Sequence, residues 1–444
     1  MDTTGVRLMQ PQKLSAAELV NLAQLDSPLV NLLGAWLNKQ LACVHCKKCT
    51  LRCEVLELPE LDIGAVEADF KRIVELAVEE RSAATLRLVQ KHPDLYQALR
   101  RCCFCGYCTA ACATHMTAPA RMREWRELFT AAGLMPVDDS RLVMVDNEWH
   151  IFSAYRAIYG VAYPEFFQLE QAAAGEVSVD TLFFPGCSLT SYAPELMQRV
   201  GQWLNADGCR WAMSSACCGS PLMSAGLFER SHALRSELLR HIRTAGITRV
   251  LTVCPGCGEE LAEVMGDEVD IVPLPELLLE RLDQGAELPA QNNAQNSRHA
   301  LTFFDSCHDR FDTRHGTAVR SLLARCLPES LQVEIEHRGK NTLCCGAGGA
   351  VAAYDPDITQ RRVWRIIDEA RATGANTLVT TCPTCTYTIG QALLGVESRR
   401  GIASHNYLEL IFDQTIDWPV VFSQLETMWS GEYGPWLSET FFSS

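Results

Sequence analysis

A five-cysteine pattern occurs twice in the sequence. Each copy has a single cysteine, a Cys-Cys-Gly triplet and a Cys-x-x-Cys pair, and the copies are offset by 120, 127 and 128 residues. The ten residues are Cys187, Cys217, Cys218, Cys254 and Cys257 in the first copy and Cys307, Cys344, Cys345, Cys382 and Cys385 in the second. Five thiols exceed the four ligands of a tetrahedral zinc ion, so an iron–sulfur cluster fits better. Internal similarity of this length predicts two copies of one structural unit that carry the same chemistry.

Two further cysteine runs precede the repeats, and both have the 2-2-3 spacing of ferredoxins. In such runs three closely spaced thiolates bind one [4Fe–4S] cluster and the fourth reaches across to the other cluster. One predicted ligand set is therefore Cys43, Cys46, Cys49 and Cys112, and the other is Cys102, Cys105, Cys108 and Cys53. The proline that usually follows the fourth cysteine is replaced by Glu54 and Ala113, which removes no ligand. A pair of four-cysteine zinc sites is the alternative.

These motifs account for 18 of the 21 cysteines. The three that remain, Cys103, Cys209 and Cys326, fit no motif and are interpreted as bystanders or structural thiols. The odd total and the lack of a secretory signal at the start of the chain favour metal or redox use of the thiols over disulfides.

The composition excludes several classes of partner. The 444 residues are 48% hydrophobic and 21% charged, which suits a globular protein of two to four domains. The net charge of −15 argues against nucleic acid and anionic lipid as main partners. No apolar stretch approaches the ~18 residues of a membrane span. We therefore expect a cytoplasmic protein that reaches the inner face of the membrane only through a partner.

The elements around each repeat are expected to deliver the cysteines to one place. Short buried strands at 182–184 and 301–304 precede the single cysteines, and strands at 249–253 and 377–381 end at the Cys-Pro-x-Cys pairs. Helices are predicted roughly at 227–243 and 357–371. Strand–helix–strand order indicates an α/β unit, in which sites gather at the carboxyl ends of the strands.

The rest of the chain divides around these motifs. Capping signals predict two short helices within 14–42, and a helical insert between the two ferredoxin-like runs has Val66, Phe70, Ile73 and Ala77 on one face. The predicted domains are residues 1–177, 178–296, 297–414 and an aromatic tail at 415–444. The tail could offer aromatic anchors to a partner or pack back on its own core.

The paired Cys-Cys-Gly repeats resemble those of the catalytic subunit of heterodisulfide reductases. With a two-cluster ferredoxin module in front, the chain is similar to the single-chain, membrane-linked form of that enzyme. Similar fusions are found in iron–sulfur subunits of glycolate, lactate and glycerol-3-phosphate dehydrogenases and in a membrane complex associated with sulfite reduction. The resemblance covers residues 41–413.

The resemblance implies a fold, cofactors and partners. The fold would be an α-helical two-[4Fe–4S] ferredoxin-like domain followed by two tandem α/β Cys-Cys-Gly repeats. The cofactors would be two cubane clusters and one or two non-cubane [4Fe–4S] clusters, each of the latter bound by all five cysteines of its repeat. The partner would be a membrane cytochrome b or a flavoprotein. No repeat ligand is missing here, which favours disulfide chemistry.

We expect the second repeat to be catalytic, through Cys307, Cys344 and Cys345. His308 could donate a proton to a leaving thiolate, and Arg310 could pair with an anionic substrate group, with Asp305 close by. The alternative is that His308 and Arg310 hydrogen-bond the backbone or cluster sulfur. Glycines beside the cysteines permit close backbone approach and aim amide donors at a cluster or ligand; they are Gly219, Gly346, Gly348 and Gly349.

The preferred function is reduction, or formation, of a disulfide, heterodisulfide or trisulfide by electrons that pass the cubane clusters. The substrate would be a small-molecule or protein disulfide or thiol. The alternative is a non-catalytic electron relay for a flavin-dependent hydroxy-acid or glycerol-3-phosphate dehydrogenase. That reading needs a flavoprotein partner, because the chain has no flavin or nucleotide fingerprint. A zinc-binding scaffold is the third possibility.

Overall fold

A computed structural model describes residues 45–53, 58, 60–114, 118–131, 135–161, 171–172, 174–176, 178–292, 299–394 and 401–442. The helices predicted within 14–42, Cys43 and the predicted domain boundary at 296–297 lie outside the described residues. Among the described residues, no helix is both long enough and apolar enough to cross a membrane.

Each Cys-Cys-Gly repeat contains a four-stranded parallel sheet, and the two sheets have the same strand order. The first sheet has the order β2-β1-β3-β4 and the second the order β6-β5-β7-β8. The strands of the first are β1 (Thr181–Phe184), β2 (Trp211–Met213), β3 (Arg249–Thr252) and β4 (Asp270–Pro273). Those of the second are β5 (Ala300–Phe304), β6 (Leu331–Gln332), β7 (Thr377–Thr380) and β8 (Ala403–Asn406).

The four strands predicted from the sequence are the central strands of the two sheets. β1 pairs with β3, and β5 pairs with β7, in parallel register. The outer strands were not predicted, because β2 and β6 have three and two residues and are too short to show a periodic pattern.

Helices surround the sheets and form the region before them. In the N-terminal region they are α1 (Lys48–Leu51), α2 (Ile63–Glu75), α3 (Val78–Lys91), α4 (Leu95–Arg101), α5 (Tyr107–Ala111), α6 (Ala118–Ala131) and α7 (Ile151–Ile158). In the first repeat they are α8 (Leu189–Tyr192), α9 (Pro194–Ala206), α10 (Ser220–Ala225), α11 (Phe228–Ala245), α12 (Pro255–Met265) and α13 (Leu274–Asp283). The second repeat and tail contain α14 (Arg314–Cys326), α15 (Val351–Tyr354), α16 (Pro356–Ala372), α17 (Pro383–Leu393), α18 (Tyr407–Phe412), α19 (Trp418–Ser430) and α20 (Gly434–Phe442).

One hydrophobic core joins the two repeats. Alternate strand residues point to opposite faces of a sheet, so Phe183 of β1 enters this core while Phe184 packs on the other face. In the second sheet Phe303 enters the same shared core, and Phe304 packs on the far face. The two sheets therefore face one shared apolar core, to which the helices α9, α13, α14 and α18 also contribute.

The N-terminal helices have a separate core. Val66, Phe70 and Ile73 of α2 are buried, as the sequence predicts, and Phe70 stacks on Trp125 of α6 at a centroid distance of 5.5 Å. Ala77 was predicted on the same face, and this was wrong: α2 ends at Glu75 and Ala77 is exposed at the start of α3. The predicted ferredoxin-like fold of this region and the four domain boundaries stay predictions.

The aromatic tail packs back on its own chain. Trp418 and Val421 of α19 join the core shared by the repeats. Met428, Leu437 and Phe441 form a smaller cluster with α7. Of the two alternatives for this segment, the structure shows packing on the protein's own core.

Candidate iron–sulfur sites

The five cysteines of the first repeat lie together at the carboxyl ends of β1, β2 and β3. Cys187 follows β1, and its Sγ lies 3.5 Å from Sγ of Cys217. Cys217 also hydrogen-bonds with Cys218, which hydrogen-bonds with Cys257. Cys254, the fifth cysteine, lies beside Cys257. The five thiols are thus linked in one buried group, as the motif predicts.

The second repeat repeats this arrangement. Sγ of Cys385 lies 3.4 Å from Sγ of Cys345, and Cys385 also hydrogen-bonds with Cys382. Cys344 contacts Cys307 and Cys345. All five predicted ligands of this repeat are therefore brought together as well.

The Cys-Pro-x-Cys pairs owe their geometry to helix starts. Cys254 and Cys382 are the N-cap residues of α12 and α17, and proline occupies the first turn of each helix. Proline is favoured there because its missing N–H has no partner in a first turn. Residues three apart lie on the same face of a helix, so Cys257 and Cys385 point back toward the cap cysteines.

The N-terminal cysteines form two further sets. Cys46, Cys49 and Cys112 line one small cavity, and their predicted fourth partner is Cys43. Burial raises the pKa of Cys108, and the neighbouring charges of Cys102 and Cys53 raise it further. Cys112, the fourth cysteine of the second run, thus lies beside the first run, as ferredoxin spacing predicts. The assignment of these sets to two cubane clusters stays a prediction.

The thiol sets are in contact with one another. Cys344 of the second repeat packs with Cys103 in one buried cluster, and Cys105 of the second ferredoxin-like run packs against it. These neighbouring thiols lower the pKa of Cys344 well below its usual value. Between the repeats, Cys254 hydrogen-bonds with Cys382. Cys103, which the sequence interpretation treated as a bystander, therefore lies against a predicted ligand of the second repeat.

The glycines beside the cysteines allow other segments of the chain to approach them closely. A Cβ on Gly349, whose φ is +64°, would collide with the carbonyl oxygen of Cys102, and a Cβ on Gly348 would lie 3.1 Å from the carbonyl oxygen of Cys103. Gly346 packs against the backbone of α16, and Gly219 against side chains of α11. Direct cofactor binding by these glycines stays a prediction.

Asp305, His308 and Arg310 point in three different directions. The carboxylate of Asp305 accepts hydrogen bonds of 2.7 and 3.1 Å from Arg320 and one of 2.8 Å from the backbone N–H of Gly339. Nδ1 of His308 lies 2.6 Å from a carboxylate oxygen of Glu259 in the first repeat. Burial by itself would lower the pKa of His308, but the hydrogen bond and charge of Glu259 raise it to about 9.

Arg310 faces the N-terminal region. Its Nε donates to the carbonyl oxygen of Cys105 at 2.9 Å, and its Nη1 donates to the carbonyl oxygen of Lys340 at 2.7 Å. These contacts are of the backbone-binding kind that the sequence interpretation held as its alternative. A role of Arg310 toward an anionic substrate stays untested.

The donor atoms of the thiol sets are those that iron–sulfur clusters require. Thiolates are the usual ligands of [4Fe–4S] clusters, and each set supplies only thiols, from chain segments that meet at strand or helix ends. Among the described residues, no three His, Cys, Asp or Glu side chains converge tightly enough to hold a single metal ion. Cys46, Cys49 and Cys112, the second run with Cys53, and the two five-cysteine groups are the residues that would hold clusters.

Sequence reasoning missed two residues at the site. Glu259 pairs with His308 across the repeat boundary, and Arg126 of α6 bonds both repeats and the second cysteine run. Arg126 donates to the carbonyl oxygens of Ser224 at 2.6 Å and Cys102 at 2.9 Å, and also to Gly349 and Leu99. Neither belongs to a local motif, because each acts across elements that are distant in the sequence.

Comparison with known proteins identifies the class. Residues 181–262 and 301–390 match the cysteine-rich domain family named CCG. These two segments contain the two sheets and thiol sets described above. The chain therefore carries two cysteine-rich CCG domains, and it is similar to heterodisulfide reductase-type iron–sulfur proteins.

The chain is also similar to several curated proteins. It is 24% identical over 378 residues to one subunit of a fumarate reductase (CoM/CoB) from Methanothermobacter marburgensis, covering 83% of this chain and 71% of that protein. It is 23% identical to an uncharacterized iron–sulfur protein of Methanocaldococcus jannaschii, over 80% of this chain and 69% of that one. With one subunit of the dihydromethanophenazine:CoB–CoM heterodisulfide reductase of Methanosarcina mazei it shares 27% identity over 47% of this chain. The match spans about half, 53%, of that relative.

Proposed function

We propose that this chain is the iron–sulfur subunit of a reductase complex and that it acts on a disulfide at the Cys-Cys-Gly repeats. The reaction is RS–SR′ + 2 e⁻ + 2 H⁺ → RSH + R′SH, in which the S–S bond breaks and a reduced partner supplies the electrons. That partner is a membrane cytochrome b or a flavoprotein. Thiol oxidation is the same reaction in reverse.

The observation that carries the proposal is the contact of Cys344 with Cys103 and Cys105. It joins the second ferredoxin-like run to a predicted ligand of the second repeat within one packed cluster. Bound clusters would supply one-electron transfer and an iron that can bind sulfur. Cleaving a disulfide needs two electrons, so adjacent thiol sets suit a reaction in which electrons arrive one at a time.

The exposure of the thiols supports an order along the chain. Cys46 is exposed, whereas Cys344, Cys345, Cys382 and Cys385 are buried. An external donor would therefore meet the first N-terminal set, and the second set lies between it and the second repeat. The contact of Cys254 with Cys382 then extends the series to the first repeat.

The position of His308 in the second repeat supports this proposal. His308 follows Cys307, and its ring lies over Gly256 of the first repeat, where an added Cβ would be 3.1 Å from the ring. The hydrogen bond to Glu259 fixes the orientation of the ring. His308 thus lies between the two Cys-Cys-Gly sites and stays our candidate for delivering a proton to a leaving thiolate.

The first test is EPR spectroscopy of the anaerobically purified, oxidised full chain with coenzyme M, coenzyme B or 2-mercaptoethanol. We expect a thiol-dependent paramagnetic signal that is lost in Cys345→Ala and kept in Cys326→Ala, a buried cysteine outside every motif. A wild-type protein with full iron content and no thiol-dependent signal would contradict catalysis here. The chain would then fit the alternative of an electron relay for a flavin-dependent dehydrogenase.

A further inference from the structure

Two arginines are buried beside the second cysteine run without a carboxylate partner among the described residues. Arg126 is 0% exposed and Arg310 is 1% exposed. By contrast, Arg235 is equally buried and is paired with Glu260. A buried guanidinium without a counter-charge is strongly unfavourable, so the environment of these two side chains needs explanation.

Arg126 contacts the second cysteine run at Cys102. Its Nη2 donates to the carbonyl oxygen of Cys102 at 2.9 Å, and its guanidinium carbon lies 4.3 Å from the ring centroid of Phe104. Its Nη1 reaches the first repeat at Ser224 and the second at Gly349. Its Nε is buried and has no hydrogen-bond partner.

Arg310 contacts the same run three residues further on, at Cys105. Its Nε donates to the carbonyl oxygen of Cys105, and its guanidinium carbon lies 5.1 Å from the ring centroid of Tyr107. Its Nη2 is buried and has no hydrogen-bond partner. Carbonyl oxygens and ring faces stabilise a cation only in part, so both arginines keep an unpaired positive charge and a free donor next to the thiols.

We propose that Arg126 and Arg310 are the counter-charges of the cluster held by Cys53, Cys102, Cys105 and Cys108, and that they raise its reduction potential. The inference rests on the proposed function, because it requires a cluster at this set. A reduced cluster carries one more negative charge than the oxidised cluster, so buried cations favour the reduced state. Charge near the cluster and its burial are among the known determinants of potential.

The first N-terminal set has no equivalent pair among the described residues. The cations that line its cavity are Lys47 and Lys48, and Lys47 pairs with Glu60 at 3.7 Å. Cys46 and Lys48 are exposed, and water screens exposed charges. The second set is therefore expected to have the higher potential of the two, which draws electrons inward to the position next to Cys344.

The test is an EPR-monitored redox titration of the full chain, purified anaerobically with its clusters. Arg310→Gln and Arg126→Gln remove the charge, and Arg310→Lys and Arg126→Lys keep it. Arg314→Gln is the matched control, because Arg314 pairs with Glu276 at the surface. We expect each Gln variant to lower the potential of one N-terminal cluster by at least a tenfold change in the reduction equilibrium, about 59 mV for one electron. The other N-terminal cluster should keep its potential.

Each outcome decides the inference. Unchanged potentials at full iron content in the Gln variants would overturn it, and so would an equal fall in the Lys variants. If the Gln variants lose iron at one N-terminal site, the Lys variants decide: full loading with a near-native potential supports the role of charge, and loss there too overturns it. If the potential shifts in the Gln variants but the thiol-dependent EPR signal is absent, the result contradicts the proposed catalysis and leaves this inference standing. Wild-type protein without N-terminal clusters would sink this inference.

Discussion

The two Cys-Cys-Gly repeats have the same sheet and the same thiols but different neighbours. Three residues after the single cysteine, the first repeat has Thr190 and the second has Arg310. The hydroxyl of Thr190 donates to the carbonyl oxygens of Gly186 and Cys187 in its own loop, each at 3.0 Å. Arg310 instead crosses to Cys105 of the N-terminal region. The residue at this position therefore bonds within its own loop in the first repeat, whereas in the second repeat it links the repeat to the N-terminal region.

The Cys-Cys-Gly loops differ in the same sense. The first repeat has Pro221 and Leu222 inside α10, where the second has Gly348 and Gly349. The glycines admit the backbone of residues 102 and 103, which a side chain would exclude. The duplicated unit thus has its predicted ligands in both copies, and within the part of the chain that the structure describes it is the second copy that brings its thiols to the second cysteine run.

The largest effect is expected from removing the cysteine that makes this contact. Cys344→Ala should slow electron transfer from the N-terminal clusters to the repeats at least about tenfold, roughly 1.4 kcal/mol in the barrier. The equivalent variant of the first repeat, Cys217→Ala, should leave that step nearly unchanged. Rapid-freeze EPR after limited reduction would follow the decay of the N-terminal signals. Equal slowing in both variants would erase the distinction between the repeats.

Asp305→Asn tests whether the second repeat depends on its own ion pairs. The buried carboxylate of Asp305 accepts charge-assisted hydrogen bonds from Arg320 and from the backbone N–H of Gly339, and an amide weakens all of them, so we expect a loss of about 3 kcal/mol in the free energy of unfolding. Glu334→Gln removes the other carboxylate on Arg320, which is more exposed, and should cost at most about 1 kcal/mol. Chemical denaturation would measure both. Similar costs would mean that burial of Asp305 does not decide its contribution.

Gly349→Ala sharpens the comparison of the loops. Its Cβ would collide with Cys102, so we expect a loss of about 2 kcal/mol beyond the cost of the left-handed conformation alone. Gly374→Ala is the control, because its φ is +78° but no atom lies within 4 Å of its Cβ; it should lose about 1 kcal/mol. Thermal unfolding monitored by circular dichroism would compare them. Equal losses would show that the close approach at Gly349 is unimportant.

A smaller effect is expected at the boundary between α6 and the first repeat. Burial, with Glu229 and Glu124 nearby, raises the pKa of Glu127 from 4.5 to about 7. A carboxyl group with a raised pKa in the folded state favours folding while protonated, and that advantage disappears as the pH rises from 4.5 through 7. Glu127→Gln should therefore stabilise the protein by roughly 1 to 3 kcal/mol at pH 8 and have little effect at pH 4.5. Denaturation curves at both pH values would check this, and a pH-independent difference would contradict it.

The sequence predicted what is repeated and local. The four central strands, the two long helices after the Cys-Cys-Gly triplets and the five-thiol groups follow from spacing and hydrophobic pattern. The contacts between parts were not predictable in this way. Arg126 looks like an ordinary helix residue, and Cys103 fits no motif, because their meaning depends on which distant segments meet there. Arg310 was noticed for its neighbours in sequence, yet its contacts lie 205 residues away at Cys105.

The apolar layer shared by the two sheets has a consequence for how the protein is made. Phe183, Leu251, Phe303 and Val379 come from both repeats, so each half buries part of its apolar surface against the other. Once they have closed, Cys217, Cys218, Cys344 and Cys345 are buried. We therefore expect iron and sulfide to reach these cysteines before the shared core closes, which would tie maturation of the protein to the order in which its parts assemble.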